Sequence, residues 1–454
     1  MAVGRSLCIF TFGCQMNCRD SETMEAALEE NGHTVVPEKY ADCAIVNSCS
    51  VRESAEWKAI NRLRLLTAKK KNGEDFIVGV AGCMAQRLGD NLFATIPGLD
   101  FIVGTGNFHR VAEALERVER GEKRVLIIGG EGPYGPQSRR MGLLRPSANV
   151  SISRGCPMRC SYCIVPKVRG NFVSRPTEDI IAEVKALAAR GTKEIVLLGQ
   201  IVNLYDFKRP RSAEGKSPFV QLLERVHAID GIERIGFLSP HPCGFRSDLL
   251  ECFERLPKLR RSVHLPIQSG SNRILRAMGR GYGVENVVSI VEKLRHSMWD
   301  CSISTDLIVG FPGEEESDFL ETEKLFDAID FDMAFIFKFS GRSGTAAASL
   351  PSQIPEAIAA ERNGRLLERL AATSLRRNNL FLNKTLDVLV EGKSKKDDTI
   401  AFGHSHQGKK VFFGAPPSAM GSMVKVQIES TSVAALSGSI LPQLVSNQMQ
   451  PASF

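Results

Sequence analysis

Three cysteines fall within one glycine- and proline-containing segment, Arg154-Gly155-Cys156-Pro157-Met158-Arg159-Cys160-Ser161-Tyr162-Cys163, with the spacing CxxxCxxC. Thiolates are soft ligands that suit iron–sulfur clusters and zinc. A closed tetrahedral zinc site needs four protein ligands, but no further Cys or His stands close by in the sequence, and the next cysteine is Cys243. Three ligands would leave one metal position open to a small molecule.

A second set of three cysteines is dispersed, and each member follows a short apolar run. The pairs are LCIFTFG with Cys14, CAIVNS with Cys49, and FIVGVAG with Cys83. If these runs are parallel strands, their carboxyl ends share one edge of the sheet, where ligands bind. The alternative is that they are buried structural cysteines, a common fate of free thiols. Cys18 competes with Cys14 because it lies four residues further on.

The elements that must position these cysteines can be predicted from hydrophobic periodicity. Residues 1–130 alternate apolar runs with helical patterns, including predicted helices over 21–31 and Glu53–Lys71, which is typical of a doubly wound parallel sheet. Residues 131–146 are rich in Gly, Pro and Arg and are predicted to be a linker.

The central region, 147–375, contains six further strand–helix units, which predict a full or partial β/α barrel with its chemistry at the carboxyl ends of the strands. The predicted strands are 149–153, 194–199, 234–239, 262–267, 302–310 and 333–339. Residues 376–442 change to a period of two with Gly, Asp and Pro turns, which predicts a small all-β barrel. The tail, 443–454, is predicted to be frayed.

Composition excludes several classes. The chain has 454 residues, 43% of them hydrophobic, with 58 Lys and Arg against 51 Asp and Glu. Disordered, collagen-like and disulfide-scaffold proteins are poor fits. The apolar stretches are too short to cross a bilayer, and no signal peptide is evident. The 12 cysteines are therefore expected in the cytoplasm, where thiols stay reduced. The net charge of +7 permits an acidic partner such as RNA.

The cysteine loop resembles that of radical S-adenosylmethionine enzymes. The chain as a whole is similar to the methylthiotransferases, which join an N-terminal three-cysteine domain, a radical S-adenosylmethionine domain and a TRAM β-barrel. The similarity rests on TFGCQMN, NSCSVRESA, GCMAQR, RGCPMRCSYCIVPKVRG, LLGQIVNLY, HLPIQSGSNRILRAMGR, STDLIVGFPGE and FSGRSGT. The motifs GCQMN and CSVRE are most similar to the type that modifies isopentenylated adenosine next to the tRNA anticodon. Ile201 and Gly281-Tyr282-Gly283 depart from its usual pattern.

The resemblance implies two 4Fe-4S clusters. One would be held by Cys156, Cys160 and Cys163, and its open iron would chelate S-adenosylmethionine, which then releases a 5′-deoxyadenosyl radical. The other, auxiliary cluster would be held by Cys14, Cys49 and Cys83. A second S-adenosylmethionine would donate the methyl group. The partners implied are tRNA, a flavodoxin- or ferredoxin-like electron donor and no membrane, with the chain acting as a monomer.

Other polar residues follow the predicted central strands and are candidates for contacts with S-adenosylmethionine or substrate. They are Gln200, Asn203, Gln268, Ser269, Glu314 and Arg342. The alternative is that they only satisfy backbone groups at the top of the barrel. Asp306 lies inside a strand and is expected to be a buried partner for a cation.

RNA binding is predicted from charge placement. Residues 340–430 carry 13 Lys and Arg against 8 Asp and Glu. The predicted barrel offers Lys393, Lys395, Lys396, Lys409 and Lys410 to a phosphate backbone, although a solvated surface explains any single lysine. A second basic run is Lys58, Arg62, Arg64, Lys69, Lys70 and Lys71, and the cysteine loop has no acidic residue from 154 to 175.

Two alternatives in function remain open from the sequence. The same chemistry could act on N6-threonylcarbamoyladenosine of tRNA or on a ribosomal-protein side chain. A non-enzymatic reading is a metal-stabilised RNA-binding module, which would need four-ligand metal sites that the cysteine loop does not provide.

Overall fold

The computed structural model describes residues 4–71, 75–130 and 146–441. Its first sheet has six parallel strands in the order β2-β1-β3-β4-β5-β6. The strands are β1 (Ser6–Phe12), β2 (Thr34–Val35), β3 (Cys43–Ser48), β4 (Ile77–Gly82), β5 (Phe101–Val103) and β6 (Val125–Ile127). The helices are α1 (Gln15–Glu30), α2 (Glu53–Lys71), α3 (Cys83–Leu88), α4 (Asn91–Thr95) and α5 (Val111–Glu119). Separate apolar cores cover the two faces, so the predicted doubly wound sheet is confirmed.

The start of α1 differs from the prediction, which began that helix at Ser21. The helix begins at Gln15, with Cys14 as its N-cap residue. Ser21 is buried and its hydroxyl lies 2.7 Å from that of Thr11 and accepts a hydrogen bond from the Asn47 amide at 2.9 Å. A residue type that favours helix caps is used here to fasten the helix to the sheet, which local sequence rules do not anticipate.

The central region has six parallel strands, in two groups ordered β11-β10-β7 and β12-β13-β14. Ile235 joins the groups, since its N–H donates to the Lys258 carbonyl and its carbonyl accepts from the Arg260 N–H. No ladder joins β7 to β14 within the described ranges, which confirms the partial barrel. The strands are β7 (Ser147–Ser151), β8 (Ser153–Arg154), β9 (Val173–Ser174), β10 (Glu194–Leu198), β11 (Arg234–Phe237), β12 (Ser262–His264), β13 (Ser302–Val309) and β14 (Met333–Lys338).

One large apolar core lies between these strands and the helices that cover their outer face. The helices that line this core are α7 (Thr177–Ala189), α8 (Pro218–His227), α9 (Ser247–Arg255), α11 (Val284–Ser297), α12 (Glu316–Ile329) and α13 (Glu356–Asn379). Two short helices, α6 (Val165–Arg169) and α10 (Asn272–Met278), pack in separate apolar clusters. The short β8 and β9 pair with each other on either side of the cysteine loop. No helix of the described residues is long and apolar enough to span a membrane.

The C-terminal strands form a closed barrel in the order β15-β16-β17-β19-β18, as predicted. They are β15 (Thr385–Lys393), β16 (Ile400–Ser405), β17 (Lys410–Gly414), β18 (Met423–Thr431) and β19 (Leu436–Ile440). The predicted tail and all but the last residue of the predicted linker lie outside the described residues.

The barrel docks at the amino-terminal ends of the central strands. Arg234, the first residue of β11, donates to the His404 carbonyl at 2.7 Å, and the Gln407 amide donates to Asp300, just before β13, at 2.7 Å. The cysteine loop follows the carboxyl end of β7. The docking contacts of the barrel and the cysteine loop therefore lie at opposite ends of the central strands.

Candidate active site

Cys14, Cys49 and Cys83 lie where the sequence predicted, just beyond the carboxyl ends of three adjacent strands, β1, β3 and β4. Two glycines permit this packing. Gly13 has φ +145°, and a Cβ there would lie 2.5 Å from the Cys49 Cβ. Gly82 has φ +94°, and a Cβ there would lie 2.3 Å from Asn47 Oδ1. Only glycine fits such close approaches without displacing the edge.

The thiols of this auxiliary triad, Cys14, Cys49 and Cys83, influence one another electrostatically. A hydrogen bond from the Cys49 thiol lowers the pKa of Cys14 to about 5, and the same interaction raises the pKa of Cys49. Burial raises the pKa of Cys83, while the Arg169 guanidinium opposes that shift. The thiolate is the form that binds metal, and the lowered pKa of Cys14 favours that form.

Arg169, the last residue of α6, reaches from the central region to the auxiliary triad. Its Nε donates to Cys83 Sγ at 3.1 Å, and its Nη2 donates to Asp20 Oδ2 at 2.6 Å. Cys83 also packs against Ile164 and Val168 of the same segment. Since Ile164 follows Cys163 directly, the edge of the first sheet touches the chain that leaves the second cysteine set.

Two more contacts place the auxiliary triad over the inner face of the central strands, the face turned away from the helices. Met16, two residues after Cys14, packs on Val196 and Leu198 of β10. Arg52, three residues after Cys49, lies over the rings of Phe335 and Phe337 of β14, 5.6 Å from each centroid. The auxiliary edge thus spans the inner face from β10 to β14.

The second triad, Cys156, Cys160 and Cys163, lies in the loop between β8 and α6, and all three side chains are half-buried. The loop is fixed at Ser161, whose N–H donates to the Met278 carbonyl at 3.0 Å and whose carbonyl accepts from Ala347 at 2.8 Å. The Arg280 guanidinium donates to Cys160 Sγ at 3.5 Å.

The donor chemistry of both triads fits an iron–sulfur cluster, because thiolates are the ligands that hold such clusters. Each triad combines soft thiolates with a donating guanidinium, from Arg169 or Arg280, and hydrogen bonds of this kind stabilise negatively charged cluster sulfurs.

Several other predicted contacts are occupied by structural partners. The Asn203 side-chain amide donates to the His241 carbonyl at 2.9 Å and accepts from the His241 N–H at 2.8 Å. Ser269 accepts from the Ser271 N–H. Glu314 is buried and accepts from the Gly310 N–H at 2.6 Å and from Arg362 at 2.8 Å. Each of these three side chains therefore already satisfies a neighbouring group, and a ligand contact by any of them stays a prediction.

The remaining candidates differ in their placement. Gln200 has a buried Oε1 without a hydrogen-bond partner among the described residues, and Gln268 is buried with φ +81°. Arg342 joins the central region to the first sheet, through Glu56 at 3.4 Å and the Val51 carbonyl at 3.3 Å. Of these candidates, the two glutamines keep a side-chain group for a ligand.

Asp306 is half-buried, so the expected buried position is wrong, and its Oδ2 lies 3.3 Å from His264 Nε2. The sequence missed Arg169, Arg280 and Arg52 as site residues. A signal exists for Arg169, since the cysteine loop carries arginines without acids, but the same pattern also predicts a path for RNA.

The predicted RNA-binding lysines divide in two. Lys393, Lys395 and Lys396 are exposed at the β15–β16 connection, and Lys410 lies over the rings of Phe402 and Phe412. Lys409 is buried, 8% exposed, and its Nζ lies 2.6 Å from Asp332 Oδ1. The prediction for Lys409 is wrong, because its side chain points into the contact with the central region.

The basic run on α2 is also partly structural. Arg62 and Lys69 pair with Glu38, and Lys70 pairs with Asp100. The side chains that remain exposed are Lys58 and Arg64, while that of Lys71 lies outside the described residues. In the cysteine loop, Arg169 pairs with the buried Asp20, and Arg175 pairs with the half-buried Glu183.

Comparison with family models matches three regions of the chain. The Radical SAM superfamily matches residues 150–326, an uncharacterized protein family, UPF0004, matches residues 6–104, and the TRAM domain matches residues 380–441. A solved structure of the radical S-adenosylmethionine methyltransferase TsrM from Kitasatospora setae, with cobalamin and a 4Fe-4S cluster bound, superposes with a TM-score of 0.56 at 15% identity, over 76% of this chain and 77% of that one. At that identity the likeness concerns the fold alone.

Curated relatives are similar over nearly the whole chain, and three of them share the name tRNA-2-methylthio-N(6)-dimethylallyladenosine synthase. The protein from Opitutus terrae is 44% identical over 95% of this chain and 97% of its own. Those from Methylacidiphilum infernorum and Akkermansia muciniphila are 43% and 42% identical over 94% of this chain, and over 93% and 96% of their own. The resemblance drawn from the motifs is confirmed. The chain belongs to the family of the tRNA-2-methylthio-N(6)-dimethylallyladenosine synthases, which are radical S-adenosylmethionine enzymes.

Proposed function

We propose that this chain methylthiolates C2 of N6-isopentenyladenosine next to the anticodon of tRNA, the reaction for which its relatives are named. The observation that carries the proposal is the placement of two cysteine triads around one space. Met16 and Cys83 fasten the auxiliary edge to the central region, and Arg52 of the same edge lies over the ring of Phe335. A sulfur source and a radical source must both reach one adenine carbon. The arrangement brings the auxiliary edge into contact with the segment that follows the second triad.

The proposal includes two 4Fe-4S clusters, one on each triad. When bound, the clusters and two molecules of S-adenosylmethionine would supply the sulfur, the methyl group and the radical that removes the unacidic C2 hydrogen. The chain's own contribution is to present thiolates at fixed positions. Arg169 and Arg280 donate to Cys83 and Cys160, and Gly13 and Gly82 keep the auxiliary edge close-packed.

The proposal also covers tRNA binding, the electron donor, the oligomeric state and the cellular compartment. The TRAM barrel, through Lys393, Lys395 and Lys396, would hold tRNA by its phosphates. Because the barrel docks at the amino-terminal ends of the central strands, we expect these lysines to contact the tRNA away from the modified nucleotide. A flavodoxin- or ferredoxin-like donor would reduce the clusters, and the chain would act as a monomer in the cytoplasm.

Nucleoside mass spectrometry tests the reaction. The chain is expressed in bacteria that lack their own methylthiotransferase but still make N6-isopentenyladenosine, and tRNA nucleosides are measured. We expect 2-methylthio-isopentenyladenosine to appear with the wild-type chain and with Cys243→Ala, an exposed cysteine outside both triads, and to be absent with Cys156→Ala. Appearance of 2-methylthio-threonylcarbamoyladenosine instead, or of a modified ribosomal protein, would replace the proposed substrate.

A further inference from the structure

Strands β13 and β14 present a row of side chains on the face that the helices leave uncovered. Their parallel register pairs Asp306 with Phe335 and Ile308 with Phe337, and residues paired in this way point to the same face. The alternate residues, such as Leu307 and Ile336, pack in or against the core beneath the helices. Phe335 and Phe337 therefore face the space between the central strands and the auxiliary edge.

The two phenyl rings lie close together and nearly parallel, and together they form an aromatic surface. Their centroids are 6.4 Å apart and their planes differ by 13°. The Phe335 side chain is 37% exposed even though it lies on the concave side of the strands. An exposed aromatic ring on this face can stack on a planar heterocycle.

Arg52 is the group that lies over this surface, 5.6 Å from each ring centroid. Its side chain is exposed, and within the described residues its guanidinium makes no hydrogen bond or ion pair. Guanidinium planes stack on bases as well as on phenyl rings. Nothing polar holds Arg52 in place, so it can withdraw from the rings and still cover a ligand bound there.

Polar groups border the aromatic surface on the same face. The His264 ring is 6.2 Å from that of Phe335 in an edge-to-face arrangement. His264 bonds Ser304 at 3.0 Å and Asp306 at 3.3 Å. An aromatic surface with hydrogen-bonding groups at its rim suits a heteroaromatic base rather than an aliphatic chain.

We propose that Phe335 and Phe337 stack the adenine of the substrate nucleoside and that Arg52 closes over its other face. This inference rests on the proposed function and names the base-binding surface of that site. Atoms in contact lie about 3.5–4.0 Å apart, so the distance from Arg52 to the rings must widen by about 2 Å to admit the base. The bound adenine would lie beneath the segment that begins at Cys49, on the auxiliary side of the cavity.

The test combines protein variants with a change in the RNA. Holoprotein with both clusters reconstituted is titrated with an anticodon stem-loop RNA that carries N6-isopentenyladenosine, and with the same RNA lacking that one base. We expect Phe335→Leu and Phe337→Leu each to weaken binding of the intact RNA by about 5- to 150-fold, the range for loss of one stacked base. Binding of the abasic RNA should be unchanged.

Two further variants sharpen the result. Phe335→Tyr keeps the ring and should restore most of the affinity, and Arg52→Gln should weaken binding of the intact RNA more than Arg52→Lys does. Met333→Leu is the matched control, because Met333 is an exposed residue on the same face of the same strand. Iron content and S-adenosylmethionine affinity are measured for every variant.

Two outcomes overturn the inference. If the variants weaken intact and abasic RNA equally, the aromatic residues only fasten Arg52 and the two domains together. If S-adenosylmethionine affinity falls and RNA affinity does not, the surface holds the adenine of the cofactor. Wild-type protein that makes no 2-methylthio-isopentenyladenosine refutes the proposed function instead, and the comparison of intact with abasic RNA still tests the base-binding surface independently.

Discussion

Arg169 Nε donates a hydrogen bond to Cys83 Sγ across 3.1 Å, although the two residues are 86 positions apart in the chain. Arg169 follows the cysteine loop of the central region, while Cys83 caps the end of β4 in the first sheet. One buried guanidinium therefore links the two cysteine-bearing segments, and it places a permanent positive charge beside the auxiliary thiols.

Replacing Arg169 should loosen the auxiliary cluster. We expect Arg169→Gln to speed iron loss from that site by about 10- to 100-fold, the usual effect of removing a group that orients a ligand. Arg169→Lys should lie in between, because lysine keeps the charge but not the planar fork. Iron release to a chelator under anaerobic conditions measures this.

Two controls belong to the Arg169 experiment. Lys167→Gln changes a neighbouring exposed cation and should have no effect. Arg169→Gln combined with Asp20→Asn removes the buried carboxylate that would otherwise lose its partner and separates misfolding from loss of the bond to Cys83. Unchanged iron release in both Arg169 variants would show that the hydrogen bond has no influence on the cluster.

The two triads should contribute equally to the iron content. A chain with two 4Fe-4S clusters carries about eight iron atoms, and we expect Cys14→Ala, Cys49→Ala or Cys83→Ala each to lower the count to about four. Cys18→Ala and Cys243→Ala should leave it near eight. A count of about four in the wild-type chain, or an equal loss with Cys18→Ala, would contradict the assignment of the auxiliary ligands.

Lys409 should contribute to the stability of the folded chain and not to RNA binding. Burial raises the pKa of Asp332, but Lys409 and Arg377 outweigh burial and hold it below its ordinary value. Asp332 keeps Arg377 and Arg295 as partners when Lys409 is replaced, so Lys409→Met should lower the free energy of unfolding by less than the cost of about 3–5 kcal/mol for breaking an isolated buried ion pair. Lys396→Gln, at an exposed position, should leave unfolding unchanged and reduce the salt dependence of tRNA binding. The reverse pattern would restore Lys409 as an RNA contact.

His406 should make the docked barrel sensitive to acid. Burial, together with Arg234, Arg261 and Arg260, lowers the pKa of His406 to about 4, whereas an unfolded histidine titrates near 6.5. Between these values the unfolded state binds more protons. The free energy of unfolding therefore falls as pH decreases through this window, by up to about 1.4 kcal/mol per pH unit, and the contribution is complete above pH ~6.5.

The measurement for His406 is denaturant unfolding at pH 7.5 and pH 5.0. His406→Gln should show a smaller difference between the two pH values than the wild-type chain. His296→Gln, at an exposed position, should behave like the wild type. An identical pH dependence in all three proteins would mean that His406 is not kept neutral by its surroundings.

The sequence by itself determined the fold class of the three successive regions of the chain and placed the auxiliary cysteines at the ends of their strands. The run CAIVNS is apolar from Cys43 to Val46 and became β3 with the predicted bounds, because local periodicity reflects burial directly. Once three parallel strands were predicted, the convergence of Cys14, Cys49 and Cys83 followed from geometry. A start of α1 at Gln15 did not follow, because Ser21 is used by the sheet and not as a cap.

Only the tertiary structure decided which side chains surround the site. Lys409 and Lys410 are neighbours with the same charge, yet one is buried against Asp332 and the other lies over aromatic rings, since adjacent residues along a barrel wall point in opposite directions. Arg52 over Phe335 and Arg169 on Cys83 join residues that the chain separates widely. Such contacts depend on how the first sheet docks on the central strands, and periodicity within either segment carries no information about that docking.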